Sequence, residues 1–173
     1  MSTTQSSPAA GLPTALVTGG SGGIGRAIAQ TLARDGFQVF LTYVSKPEEA
    51  EKVAADICAA GGKAKAFALD VSNSEAVSDF FATQIKDKVD LAVLVNNAGI
   101  TKDGLMMRMS EAQWDAVLNV NLKAAFNFIH AVTPIMARQR SGSIIHMSYV
   151  VAVHSNAGQC KSSGANAGQN GLA

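Results

Sequence analysis

Cysteine is scarce in this chain of 173 residues: Cys58 and Cys160 stand far apart, with no partners at zinc-like spacing. That argues against a disulfide framework and for a reducing compartment. An excess of charge of one sign is missing as well. Fourteen basic and 13 acidic side chains leave a net charge of +1, which offers no footprint for nucleic acid or an anionic membrane surface. No apolar run approaches the roughly 20 residues that span a bilayer. Residues 1–12 are rich in Ser, Thr and Ala and lack the basic start and apolar run of a signal peptide, so they read as a loose tail. His130, His146 and His154 share no ligand spacing, and no metal site is expected. These absences together predict a soluble, cytoplasmic protein. What is present, 47% hydrophobic against 16% charged residues, suits one well-buried α/β domain over residues 13–173.

Strand-like and helix-like segments alternate along that domain. Ala15, Leu16 and Val17 form a short apolar strand, followed by an amphipathic helix carrying Ile24, Ala27, Ile28 and Leu32 that stops near Gly36. Residues 37–43 predict a second strand. A helix follows from Pro47, with Glu48 and Glu49 at its positive end and Gly61 and Gly62 terminating it. Residues 63–69 predict a third strand. Ser72 and Glu75 have capping-box spacing ahead of Val77, Phe80 and Ile85 on one helical face. Residues 91–95 are continuously apolar, as in a strand buried on both faces. A long helix is expected over residues 111–138, with Trp114, Leu118, Ala125, Phe128 and Val132 as its stripe and Pro134 kinking or shortening it. Residues 143–153 predict a fifth strand. Such alternation implies a parallel, doubly wound sheet with right-handed crossovers, and it places any ligand at the carboxyl ends of the strands.

At the first such end lies Thr18-Gly19-Gly20-Ser21-Gly22-Gly23-Ile24-Gly25, between strand and helix. The glycines allow a tight turn and close approach to a pyrophosphate, and the helix N-terminus offers unpaired amides and partial positive charge. The second strand ends in Thr42-Tyr43-Val44-Ser45-Lys46 with no acid to hold a ribose diol. Ser45 and Lys46 would suit a 2′-phosphate, which favours NADPH over NADH, although Lys46 reads equally well as a solvated loop charge.

The T-G-x-x-x-G-x-G spacing, Asp70-Val71 after the third strand and Asn96-Asn97-Ala98-Gly99 after the fourth resemble the short-chain dehydrogenase/reductase family. The resemblance implies a Rossmann fold. It assigns cofactor contacts to Thr18, Gly19, Ser21, Gly23, Ile24, Gly25, Ser45, Lys46, Asp70, Val71, Asn97, Ala98 and Gly99. Gly22 stands where NADPH-using relatives often carry Arg, which weakens the preference for NADPH. From Ala15 to about Val153 the chain is similar to the 3-oxoacyl-(acyl-carrier-protein) reductases and acetoacetyl-CoA reductases. That similarity implies reduction of an acyl thioester carried on acyl carrier protein or CoA, as in fatty acid biosynthesis. It also implies a homotetramer with the helix from Trp114 to Val132 at an interface. Met106, Met107 and Met109 read either as lining an acyl entrance or as packing residues.

In this family a Tyr protonates the developing alkoxide, a Lys four residues later lowers its pKa and holds the ribose, a Ser orients the carbonyl, and an Asn supports a relay water. Asn121 matches the Asn, with a purely structural role as the alternative. The other positions depart: Tyr149 stands at the Ser position, one residue after Ser148, while Ser162 replaces the Tyr and Asn166 the Lys. Lys161 is out of register, and its side chain is expected to point elsewhere. A positioned acid contributes about 10²- to 10⁴-fold, so activity is expected to fall by at least that much. The Gly- and Asn-rich residues 165–173 are poor helix material, and the domain is expected to be incomplete at its C-terminus, leaving the fifth strand as an exposed edge. An oxidoreductase with a damaged active site is one reading. The rival is a non-catalytic nucleotide-binding or partner subunit.

Overall fold

A computed structural model describes residues 11–172; the tail expected over residues 1–12 lies almost wholly outside them. Five parallel strands, β1 (Thr14–Val17), β2 (Gln38–Tyr43), β3 (Lys63–Ala68), β4 (Leu91–Asn96) and β5 (Ser143–His146), form one sheet in the order β3-β2-β1-β4-β5. The helices are α1 (Gly23–Arg34), α2 (Pro47–Ala59), α3 (Ser74–Phe80), α4 (Glu111–Leu118), α5 (Ala124–Gln139) and α6 (Cys160–Asn170). This is the expected Rossmann-type architecture.

Strand alternation sorts the core into two layers. Ala15, Val17, Val39, Leu41, Val93 and Val95 point to one face, where Ala29 of α1 and Ala50, Val53 and Ile57 of α2 cover them. Leu16, Phe40 and Leu94 point to the other face, against α3 and α5. There Phe40, Phe67, Phe80, Phe81 and Phe128 run as a chain of ring contacts with centroids 5.0–5.8 Å apart. Between Thr14 and Ala15 the β1–β4 register slips by one residue. The extra residue, Ala92, puts Leu91 on the α3–α5 side although Val93 faces α1 and α2.

Several expectations are corrected. β5 ends at His146 instead of residue 153, because β4 gives it nothing further to pair with once Met147 N has donated to Asn96 O at 2.9 Å. Residues 150–152 form a 3-10 turn. Helix α5 runs through Pro134 to Gln139. Pro134 and His130 both lie on the exposed face, so the carbonyl that loses its donor is open to water. The single helix expected over residues 111–138 is α4 and α5 joined by a π-helical turn at Asn119–Lys123. Asn73, not Ser72, caps α3: its Oδ1 accepts from Glu75 N at 3.1 Å and Ala76 N at 3.0 Å. On α1 the buried residues are Gly25 and Ala29; Ile24, at the end of the helix beyond the sheet's cover, is 63% exposed, and Ala27 is exposed too. Finally, α6 is helical across the Gly- and Asn-rich segment, because its glycines are where other elements come close. A Cβ on Gly168 would stand 2.8 Å from Leu122 Cδ2, and one on Gly164 3.7 Å from the Trp114 ring. Packing here overrides propensity.

Candidate cofactor and catalytic site

The carboxyl ends of β1, β2 and β4 meet around the glycine-rich turn, and Thr18 joins them. Its Oγ1 accepts from Asn97 N and Ala98 N, both at 2.9 Å, and donates to Val95 O at 3.3 Å. Asn97 returns the tie, donating Nδ2 to Thr18 O at 2.9 Å and Gly19 O at 3.1 Å. From β2, Thr42 accepts Gly19 N through Oγ1 at 3.4 Å and Gly20 N through its carbonyl at 3.1 Å. The bend admits no side chain where it closes: a Cβ on Gly25 would lie 2.2 Å from Gly19 O and 2.6 Å from Asn97 Nδ2. Helix α1 then starts after Gly22 without a side-chain cap. Its first amides are left for an anionic ligand or water, and the space above Gly23 is open. A dinucleotide pyrophosphate fits such a cradle.

At the end of β2, Ser45 and Lys46 are exposed, and Lys46 is held by Glu49, with Nζ 2.9 Å from Oε1. Glu49 also faces the turn, since a Cβ on Gly22 would stand 3.8 Å from its Oε2. Asp70 accepts Ser72 N at 2.9 Å and Ser72 Oγ at 2.7 Å. Val71 is buried and lines a small cavity with Thr18, Asn96, Ala98, Asn121 and Gln169.

Asn121 sits in the π-helical turn, and its side chain is committed. Oδ1 accepts Ile100 N at 2.8 Å and Nδ2 donates to Ile100 O at 3.0 Å, fixing the chain just after Gly99. The wide turn frees the Asn121 carbonyl, which accepts from Gln169 Nε2. Of the other residues expected at catalytic positions, Tyr149 is 59% exposed. Ser162 is buried on α6, and Asn166 Nδ2 donates to Ser162 O at 2.8 Å. No hydrogen bond between two side chains joins Asn121, Tyr149, Ser162 and Asn166 among the described residues; the one tie is from the Asn166 amide to the Ser162 carbonyl. Lys161 is buried at 1% exposure, and its Nζ has no partner among the described residues. It shares a helix face with Ala165 and Gln169.

Thr42, Gln169 and the buried state of Lys161 were not legible in the sequence. Only their neighbours in space single them out, and no spacing rule connects Gln169 to Asn121.

The model of the family described as short chain dehydrogenase matches residues 13–173. A 3-oxoacyl-(acyl-carrier-protein) reductase of Staphylococcus epidermidis is 44% identical over 158 residues, covering 91% of this chain and 65% of its own length. One from Staphylococcus aureus is 46% identical, covering 91% and 64%. The chain therefore spans about two thirds of the length of these relatives. A metagenomic short-chain oxidoreductase solved in complex with NADP superposes with a TM-score of 0.88 at 37% identity, over 92% of this chain and 72% of that one. With the glycine-rich turn closed by Thr18 and Asn97 and the family model matched over residues 13–173, the chain belongs to the short-chain dehydrogenase family of oxidoreductases.

Proposed function

We infer that this chain binds NADP(H) at the carboxyl edge of its sheet, that it descends from a reductase of 3-oxoacyl thioesters, and that it turns substrate over poorly. The observation that carries the reading is one contrast. The turn of residues 18–25 is complete and tied to β4, whereas positions 149, 162 and 166 hold Tyr, Ser and Asn. The relatives' names support a 3-oxoacyl substrate on acyl carrier protein, and the NADP-bound structural neighbour supports the cofactor.

Thr18, Gly19, Ser21, Gly23, Ile24 and Gly25 would surround the pyrophosphate. Ser45 and Lys46 would meet the ribose phosphate, Asp70 and Val71 the adenine, and Asn97, Ala98 and Gly99 the nicotinamide side. When bound, the cofactor supplies a hydride. The chain's own part is to hold the carbonyl and deliver a proton, and here it is weak. A Ser162 hydroxyl is a poor acid at neutral pH, Asn166 brings no positive charge, and Asn121 spends its amide on Ile100. Self-association through α4 and α5, where Phe126 is 52% exposed, belongs to the same reading. No helix among the described residues is long and apolar enough to cross a membrane, and the reading keeps the chain in the cytoplasm.

Fluorescence titration tests binding, with NADPH expected to bind more tightly than NADH; no binding of either overturns the proposal. NADPH oxidation with a short 3-oxoacyl thioester tests turnover. The triple variant Tyr149→Ser, Ser162→Tyr, Asn166→Lys is expected to exceed the parent chain by at least about 10²-fold. A parent chain as fast as the variant would show that another group supplies the proton.

A further inference from the structure

Three sulfur atoms from two distant parts of the chain converge beside the first turn of α6. Cys160 Sγ lies 3.6 Å from Met106 Sδ and 4.0 Å from Met109 Sδ. Met106 opens a 3-10 turn at Met106–Arg108, and Met109 follows it directly. That turn's segment is fastened to the start of α6 by Gly104 N donating to Gly158 O at 2.9 Å and by Gln159 Nε2 donating to Asp103 Oδ2 at 3.1 Å. Met106 is 68% exposed, whereas Cys160 and Met109 are half-buried. The cluster is therefore anchored on its inner side and open to solvent on its outer side. Met107 is 88% exposed.

We propose that Cys160, Met106 and Met109 form a binding site for a soft monovalent cation, Cu(I) or its analogue Ag(I). One thiolate and two thioethers are the donors such an ion selects, whereas zinc and the hard divalent ions prefer imidazole, several thiolates or oxygen. No group of three or more His, Cys, Asp or Glu among the described residues offers that alternative. The geometry also fits. Metal–sulfur bonds of about 2.3 Å place the sulfurs of a trigonal site about 4.0 Å apart, and the two separations from Cys160 Sγ are 3.6 and 4.0 Å. Binding involves no redox change: the Cys160 S–H bond gives way to an S–metal bond, each thioether donates a lone pair, and one proton is released. A thiolate and a monovalent ion leave the site neutral, which suits its half-buried position.

The test uses the full chain with Cu(I) buffered by a chromophoric Cu(I) chelator, and X-ray absorption on the loaded protein. One equivalent is expected, with three sulfur neighbours at about 2.3 Å. Cys58→Ser should leave binding unchanged, because Cys58 is an exposed lone thiol whose Sγ faces Ala64 O. Cys160→Ser should abolish it. The double variant Met106→Leu, Met109→Leu keeps the side-chain volume and should weaken binding at least about tenfold, a loss already typical of groups one shell further from a metal. Circular dichroism on each variant separates loss of a ligand from loss of the fold. Undiminished affinity in Cys160→Ser or in the double-Leu variant, or a metal shared between two chains, would overturn the proposal.

Discussion

Lys46 and Glu49 form an ion pair beside the proposed cofactor cradle. The ammonium that would meet a 2′-phosphate is engaged by a carboxylate 2.9 Å away, and that carboxylate also faces the turn where the phosphates would lie. Lys46 is exposed and Glu49 about half exposed, so the pair is weak and readily exchanged. Glu49→Gln is expected to raise NADPH affinity by about two- to fivefold, as the release of one exposed ion pair allows. NADH affinity should change less, and parallel fluorescence titrations compare the two. Lys161 poses a different problem, with a long cationic side chain buried and no partner for Nζ among the described residues. A buried polar group without a hydrogen bond costs about 1–3 kcal/mol. Lys161→Met, which keeps the volume and removes the charge, is expected to stabilise the fold by an amount in that range in urea unfolding. A loss of stability would mean that the ammonium has a partner.

Among the elements, the turn between β1 and α1 is the least tolerant of change. Its closure depends on Gly25, whose added methyl would press on the Gly19 carbonyl and the Asn97 amide. Gly25→Ala should abolish NADPH binding while far-ultraviolet circular dichroism stays close to that of the parent. Retained binding would mean that the turn yields more easily than these contacts imply. The β4–β5 pair carries a pH response. Burial lowers the His146 pKa from its ordinary 6.5, and Asn96 Nδ2 donates to His146 Nδ1 at 3.4 Å, a bond that needs the neutral ring. The unfolded chain thus takes up this proton at a higher pH than the folded one. Stability is lost as pH falls through 6.5, and the loss levels off below the folded-state value. His146→Gln should flatten this part of the stability profile, measured by thermal melts between about pH 5 and 7. The helices α3 and α6 show where local patterns mislead. Ser72 and Asn73 both sit ahead of an amphipathic run, and only the turn built on Asp70 occupies Ser72 and leaves the cap to Asn73. The glycines of α6 look like breakers until Leu122 and Trp114 are seen beside them.

Across the whole molecule the two sheet edges are guarded unequally. On β3, Lys63 and Lys65 are exposed and discourage pairing with another chain. On β5, Ile144 is 36% and Ile145 is 42% exposed, and β4 is the only strand paired with β5 among the described residues. The chain is expected to self-associate through this edge at micromolar concentrations. Ile145→Lys should shift it towards monomer in sedimentation velocity. A parent chain that stays monomeric across that range would show the edge to be harmless.

The parallel, doubly wound sheet, the glycine-rich turn after its first strand and the family frame could all be read along the chain. Each rests on local rules: apolar periodicity, glycines where backbones must meet, and short motifs directly after strands. Even the departures at Tyr149, Ser162 and Asn166 are visible from the residues alone, because side-chain chemistry does not depend on the fold. Contacts between distant segments depend on it entirely. That Glu49 restrains Lys46, that the amide of Asn121 is used up by Ile100, that Lys161 is buried without a partner and that three sulfurs meet at Cys160 are matters of tertiary structure. They arise because a parallel sheet with its crossovers brings together residues tens of positions apart, at distances no local pattern encodes.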